Sequence, residues 1–395
     1  MAFLDRSQVI RLAHEGTEGD SSTATFGTDV PTLFSASISP EVETFERDPF
    51  GSSWGDKAPL AGMRTASLQF QTELVGSGDA TDYPIWSEYM ESCGFLPYRY
   101  TSFGCGSLAA DIAAGTVLTD GTDTIVVLED AASGATNITG ARVKGTAANT
   151  ATLTGCDANG NELTAGSVVL TTAPATEKLC WLPVSTLGVT AGTARSASIE
   201  HHTGGDGTDS VLHTLSGARG SWSLSAASGD SIKIDFNFTG KWESTEAGTV
   251  PSVSYCDRIP PQFLSVGLEL GNNTDFVFDS LSMDFGNDIQ YRKNANSADG
   301  VESTVITNRS VTANIDPELK AYNTDHLFKS LRDVSSAKMS LTVGSSTGNQ
   351  FKIVAPAAIA SQVGQGERNG VAINDASLSL TDFGGGNNGV FIMAI

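Results

Sequence analysis

A chain of 395 residues with 39% hydrophobic side chains can bury sizeable cores, and its length calls for two domains or one domain with a large insertion. The formal net charge of −22 excludes a groove that grips polyanions, which needs clustered Lys and Arg, but suits a surface that must meet nucleic acid without holding it. Forty-two glycines and few charged runs point to many short strands and turns.

The first residues, "MAFLDRSQVIRLAHEG", carry early charges and lack the apolar core of a signal peptide. No stretch approaches the ~18–20 apolar residues of a membrane helix. Phe34, Ala36 and Ile38 alternate with Ser35, Ser37 and Ser39, and Ala66, Leu68 and Phe70 alternate with Ser67, Gln69 and Gln71, the period of strands with two different faces. Between them lies a long loop, 40–64, with Phe45, Phe50 and Trp54 among Glu41, Glu43, Glu46, Arg47, Asp48, Asp56 and Lys57. Long loops in compact domains are often functional, and aromatics interspersed with arginine are the composition of contact surfaces. The other reading is a loop folded over its own domain.

Next, "TDYPIWSEYMESCGF" predicts a helix with Asp82 as N-cap, Pro84 in the first turn and Gly94 as stop, its apolar face made by Ile85, Trp86, Tyr89, Met90 and Cys93. Residues 105–195 are rich in Ala, Thr and Gly and hold short alternating stretches such as "DTIVVLEDA" and "GSVVLTTAP", with Asn159-Gly160 as a hairpin turn, so they read as a small all-β insertion. A hairpin, "GSWSLSAASGDSIKIDFNFTG" at 220–240, precedes a linker at 249–262 containing Pro251, Pro260 and Pro261. The order of elements then repeats. "FVFDSLSMDF" leads through "GNDIQYRKNANSADGVEST" to "VITNRSVTANIDPEL", then to a helix in "YNTDHLFKSLRDV" capped by Thr324, with Asp325 in its first turn and Leu327, Phe328 and Leu331 as its stripe. "AKMSLTVGSSTGNQFKIVAPAA" at 337–358 parallels the hairpin at 220–240, so the chain reads as a tandem duplication.

Chemistry is sparse. The five cysteines lack zinc spacing and read as free thiols of a protein folded in the cytosol. His201-His202, in "SIEHHTGGDGTDS", reads as a solvated loop rather than a metal site with Asp206 and Asp209. "DANGNELT" has Glu162 where a calcium loop needs Gly, which favours a hairpin turn. Phosphate loop and nucleophile elbow are both missing. The expectation is no enzyme, no cofactor and no metal.

The two strand–loop–strand–helix units, "FSASISPEVETFERDPFGSSWGDKAPLAGMRTASLQFQ…DYPIWSEYM" and "FDSLSMDFGNDIQYRKNANSADGVESTVITNRSVTANID…DHLFKSLRD", resemble the major tail proteins (tail tube proteins) of long-tailed bacteriophages. The tube domain of that family is shared with contractile-tail tubes and the type VI secretion tube. The resemblance covers everything but the insertion. It implies a mainly β fold: two tandem tail-tube-like β-sandwich or half-barrel domains, each with one short α-helix, plus the insertion. The expected boundaries are 1–104 and 196–248 for the first tube domain, 105–195 for the insertion, 249–262 for the linker and 263–395 for the second tube domain.

It also implies a structural virion protein that self-assembles into stacked six-fold rings, whose inner strands continue from subunit to subunit around an acidic channel for the genome. Residues 40–64 and 286–305 would be inter-ring contacts, through Phe45, Arg47, Phe50 and Trp54 in the first loop and Tyr291 and Arg292 in the second. The second loop departs from the first: only Tyr291 is aromatic, and Arg292-Lys293 adds positive charge. Two tube domains per chain would make the ring a trimer with pseudo-six-fold symmetry. With four lumen strands per domain, as the resemblance suggests, about 24 strands at ~4.8 Å and ~40° tilt form a barrel ~48 Å across the backbone, enough for duplex DNA. Candidate lumen acids are Asp235, Glu269, Asp279 and Asp284, each of which reads equally well as a solubilising charge.

The implied partners are further copies, a tape-measure protein and duplex DNA in the lumen without tight binding, and tail terminator and baseplate proteins, with no membrane. The implied place is the virion tail, after folding in the host cytoplasm. The alternatives are a baseplate hub or other structural virion β-protein, and a carbohydrate-binding or hydrolytic β-protein in which Trp54, Trp86, Trp181, Trp222 and Trp242 stack on sugars.

Overall fold

The computed structural model describes residues 7–47, 57–144, 152–156, 162–172, 177–184, 195–204, 210–271, 273–321, 327–382 and 387–395. It is mainly β. Six antiparallel strands form a first unit, hydrogen-bonded in the order Gln8–His14, Ala197–Thr203, Ser210–Ala227, Lys233–Gly248, Lys57–Glu73, Ser35–Arg47. A second unit repeats that order with Gly267–Leu270, Ser336–Val343, Phe351–Arg368, Val371–Leu380, Thr312–Ile315 and Ser280–Asp284. Even irregularities recur: the register slips between Ala197 and Ile199 in one unit and between Ala337 and Met339 in the other.

Pairing order aligns Ser210–Ala227 and Lys233–Gly248 with Phe351–Arg368 and Val371–Leu380. The hairpin at 220–240 therefore does not correspond to 337–358, as its turn residues suggested. Its counterpart turns at Asn369-Gly370, with Asn369 at φ 53°. Shared turn chemistry at Gly229-Asp230 and Gly348-Asn349 reflects what any tight turn needs rather than equivalent position.

Strand alternation sends Leu68, Phe70, Leu224, Ile234, Phe236 and Phe238 into one continuous core, where they meet Trp86, Tyr89, Met90 and Cys93 of the first helix. That helix spans Trp86–Ser92, shorter than predicted. Asp82 does not cap it; Ile85 stands at the cap position without a side-chain bond, while Pro84 has already turned the chain by accepting from Ser87 N–H. Gly94, at φ 73°, does end it. The second helix spans Leu327–Asp333, and Thr324 and Asp325 lie outside the described residues. Among the described residues no helix is long and apolar enough to cross a membrane.

The inserted segment closes on itself. Phe95–Cys105, Asn137–Lys144, Thr124–Val127, Val117–Thr119, Thr152–Cys156 and Glu162–Thr172 pair in that order, and the last pairs again with the first. Phe103, Leu118, Ile125, Val127, Ile138 and Leu153 fill this six-stranded barrel. Among the described residues, closure leaves it no sheet edge of its own to template another chain. Its stem, Phe95–Cys105 with Glu177–Pro183, pairs onward to Phe391–Ala394 and so to Phe351–Arg368, which ties the barrel to the second unit.

Candidate assembly edges and channel face

One strand edge joins the two units. On Ser210–Ala227, the edge opposite Lys233–Gly248 holds Ala197–Thr203 along its first half and Ser280–Asp284 along its second, from Ser223↔Asp284 to Ala227↔Ser280. Phe285 N–H donates to Trp222 O (3.0 Å) and Ser228 N–H to Asp279 O (2.9 Å), extending the ladder at both ends. Leu224, Ala226, Leu281 and Met283 cover the join on its core side. The sheet thus runs unbroken through eight strands, four from each unit, starting at Ser35–Arg47 and ending at Phe351–Arg368.

Both ends of that run are open. Ser35–Arg47 pairs with Lys57–Glu73 and, among the described residues, with no other strand. Thr239 pairs with Ser67 as Ser379 pairs with Thr312, so Asp235 corresponds to Asp375, and their partners Ser223 and Gly364 align positions 223–227 with 364–368. Where 223–227 hold Ser280–Asp284, residues 364–368 hold no strand on that edge among the described residues. Asn374 N–H donates away from this strand to Pro317 O (2.8 Å), so at its partner Gln365 the N–H points into the open edge.

The face opposite the core is polar along most of the run, with apolar Ile359 beside Ser379 on the last strand. One cross-strand row reads Ser35, Gln71, Asp235, Ser223, Asp284, Thr312, Ser379, with two carboxylates and no cation. Gln71 Nε2 donates to Asp235 Oδ1 (2.9 Å). In the next row Lys233 is held by Asp230 at 3.0 Å. Of the four acids singled out in the sequence, only Asp235 and Asp284 share this row. Asp279 lies outside the row, just before Ser280–Asp284, its N–H donating to Asp316 Oδ1 (3.0 Å). Glu269 lies on Gly267–Leu270, beside Lys338 and the insertion's Asp130; burial lowers the Lys338 pKa and those two carboxylates oppose the shift. Sequence reasoning missed Asp375, which is exposed and faces Gly364 as Asp235 faces Ser223. The signal was its place before Ala376, where Ala376, Leu378 and Leu380 begin to alternate with Ser377 and Ser379, and the misaligned hairpin hid it.

The loops 40–64 and 286–305 are hairpin arms. Each slips register at corresponding places, between Val42 and Thr44 in the first and between Asp288 and Ile289 in the second. Phe45 faces Leu60 across the first arm, 52% and 55% exposed, and Arg47 is exposed opposite Lys57. Gly62 leaves room for the Phe45 ring, which would stand 2.5 Å from a Cβ there. Phe50 and Trp54 lie outside the described residues.

The second arm folds back over its own first unit. Thr304 Oγ1 donates to Gly217 O (2.8 Å), and Arg219 donates to Thr304 O and to Glu18 (2.8 Å). Arg292 reaches the same Glu18 at 3.2 Å. Burial would raise the Glu18 carboxyl pKa, but hydrogen bonds from Ser303 and Arg219 and the charges of Arg219 and Arg292 hold it below its ordinary value. Tyr291 is half-buried, and burial raises its hydroxyl pKa against a hydrogen bond with Thr65. Arg309 at the base lies 4.6 Å over the Phe285 ring and donates to Val184 O (2.7 Å) and Gly94 O (3.2 Å); burial lowers its pKa to about 10.

His201-His202 is not in a solvated loop. Both lie buried in Ala197–Thr203, with His201 Nε2 2.8 Å from Gln8 Oε1, and burial lowers the His201 pKa to about 4. Asp206 and Asp209 lie outside the described residues. Among the described residues no group of three or more His, Cys, Asp and Glu is placed to hold a metal ion, and Cys93, Cys105, Cys180 and Cys256 are free thiols.

A family model described as phage tail tube protein matches residues 6–381. No curated protein matches the chain.

Proposed function

From the premise that the chain belongs to the phage tail tube protein family, a structural family of the virion tail, we propose that it self-assembles edge to edge into stacked rings forming the tail tube. The observation that carries this is the joint between the units. Strand 223–227 receives 280–284 inside the chain, while its counterpart 364–368 and the counterpart of 280–284, residues 35–39, are left open at the two ends of the same sheet. A second copy supplies each open end with what it lacks, in the register Gly364 opposite Ser39 through Arg368 opposite Ser35. Eight strands per chain and three chains give about 24 strands, hence the ~48 Å barrel of six tube domains.

The polar face lines the channel in this assembly, with Asp235, Asp284 and Asp375 repelling duplex DNA and a tape-measure protein passing without tight binding. Phe45 and Leu60 remain on the outer face of the first arm as ring-stacking contacts with Arg47 beside them, and Phe50 and Trp54, which follow in the sequence, are proposed as further contacts. Asp279 marks the channel rim. Tail terminator and baseplate proteins cap the two ends. The protein works without catalysis or cofactor.

Negative-stain microscopy of the purified chain, with tail initiator present, tests this. Rings and hollow tubes are expected, and native mass spectrometry of rings should count three copies of the 41.1 kDa chain. A chain that stays monomeric with initiator present sinks the proposal.

A further inference from the structure

We propose that the first arm of each copy lies across the second unit of the adjacent copy in the same ring, seated as the second arm is seated on the first unit of its own chain. This rests on the assembly above, and adds a second surface to the strand joint.

The two arms are the same device. Thr44 pairs with Ala61 just past the register slip as Ile289 pairs with Ile306, so Val42 corresponds to Asn287, Pro59 to Thr304, Leu60 to Val305 and Arg64 to Arg309. Their burial differs. Val301, Ser303 and Thr304 are fully buried against the first unit, while 57–61 on the first arm are exposed. A hairpin whose inner face is built to lie on a unit, and which finds none in its own chain, has its seat on the next copy.

The landing ground shows a matching gap. The second arm is anchored at the end of the first helix, where Asn287 Nδ2 donates to Cys93 O (2.7 Å) and Arg309 to Gly94 O. Gly94 has its counterpart in Val334: each follows its helix in a left-handed conformation, φ 73° and 49°, with its N–H bonded to the carbonyl three residues back. Yet Gly94 is buried, and Val334 is 67% exposed. A β-branched residue is held there against its backbone preference. In the proposed seat, Val42 takes the place of Asn287 and packs on Val334 of the neighbour, so two apolar side chains replace an amide–carbonyl bond. Gln290, the counterpart of Phe45, is exposed on the seated arm, so seating leaves Phe45 facing outward.

Oxidising assembled material of a Val42→Cys, Val334→Cys double variant reads the contact. The expected products on a non-reducing gel stop at three chains, because links within a closed ring cannot extend further; either single variant gives monomer. A ladder running past three chains places the arm on the next ring and overturns the proposal, as does intact tube without cross-links. If the double variant does not assemble, a benzophenone amino acid at position 42 of the otherwise unchanged chain should label peptide 327–343 of another copy, and labelling elsewhere overturns it. Wild-type chain that forms no rings refutes assembly itself, and this proposal with it; wrong cross-links in well-formed tubes refute the arm alone.

Discussion

At the scale of single residues, Glu18 holds more of the fold together than its sequence context announces. Its carboxylate accepts from Ser303 and Arg219 and faces Arg292, so it pins the second arm to the first unit. A carboxyl held below its ordinary 4.5 stabilises the fold fully above that value and loses the contribution as pH falls through the depressed folded value. Glu18→Gln should therefore speed amide exchange in 301–305 at neutral pH, and the difference from wild type should shrink as pH falls below 4.5. The cost is about 1 kcal/mol, since Glu18 is partly exposed. His201 works over a higher window. With a folded pKa of about 4 against 6.5 unfolded, it withholds a proton the unfolded chain binds, so stability measured by denaturant should fall as pH drops across that interval. A partner for neither residue could be read from the chain, because the contacts join 18 to 219 and 303, and 201 to 8, across separations no local pattern encodes.

At the scale of elements, alternation was a good guide. Ala66, Leu68 and Phe70 face the core and Ser67, Gln69 and Gln71 face away, so the strands and their two faces were legible from period alone. So was the apolar side of the first helix. What alternation does not carry is which strand pairs with which: 220–240 was matched to the wrong hairpin because turn residues recur wherever φ must be positive. The arms show the same limit. Sequence placed both as loops, but not that one lies on a unit of its own chain while the other, beyond the contact of Arg64 with Asp299 at its base, is exposed. Two changes test these elements separately. Gln365→Pro removes an N–H that points into the open edge and spares the bonds to Val371–Leu380, so rings should vanish by microscopy while the unfolding midpoint moves by no more than a few degrees. Phe45→Ser with Leu60→Ser acts on exposed side chains; stability should change by within ~0.5 kcal/mol, rings should form, and tubes should fail to lengthen. Normal tubes from either variant would remove that element from the assembly.

At the scale of the whole molecule, the inserted barrel and the tube scaffold are separable in outline but share a seam. Tyr100, Cys180, Phe391 and Met393 pack against Val117 and Val126 of the barrel, so excising 102–176 should lower the unfolding temperature while leaving the channel diameter of the tubes unchanged and their outer diameter smaller. A changed channel would put the barrel inside. The joint between the units has one more consequence, which concerns timing. In the proposed three-chain ring, half of the joints would form while a chain folds, between strands tethered at an effective concentration far above any free subunit, and only the other half would await a collision. A ring of six separate domains must bring together six bodies, each losing its translational and rotational freedom; this one brings together three. In that proposed ring, fusion of two units would shift the slow step of ring formation from sixfold encounter to threefold encounter, and make the order in which joints close a property of the chain.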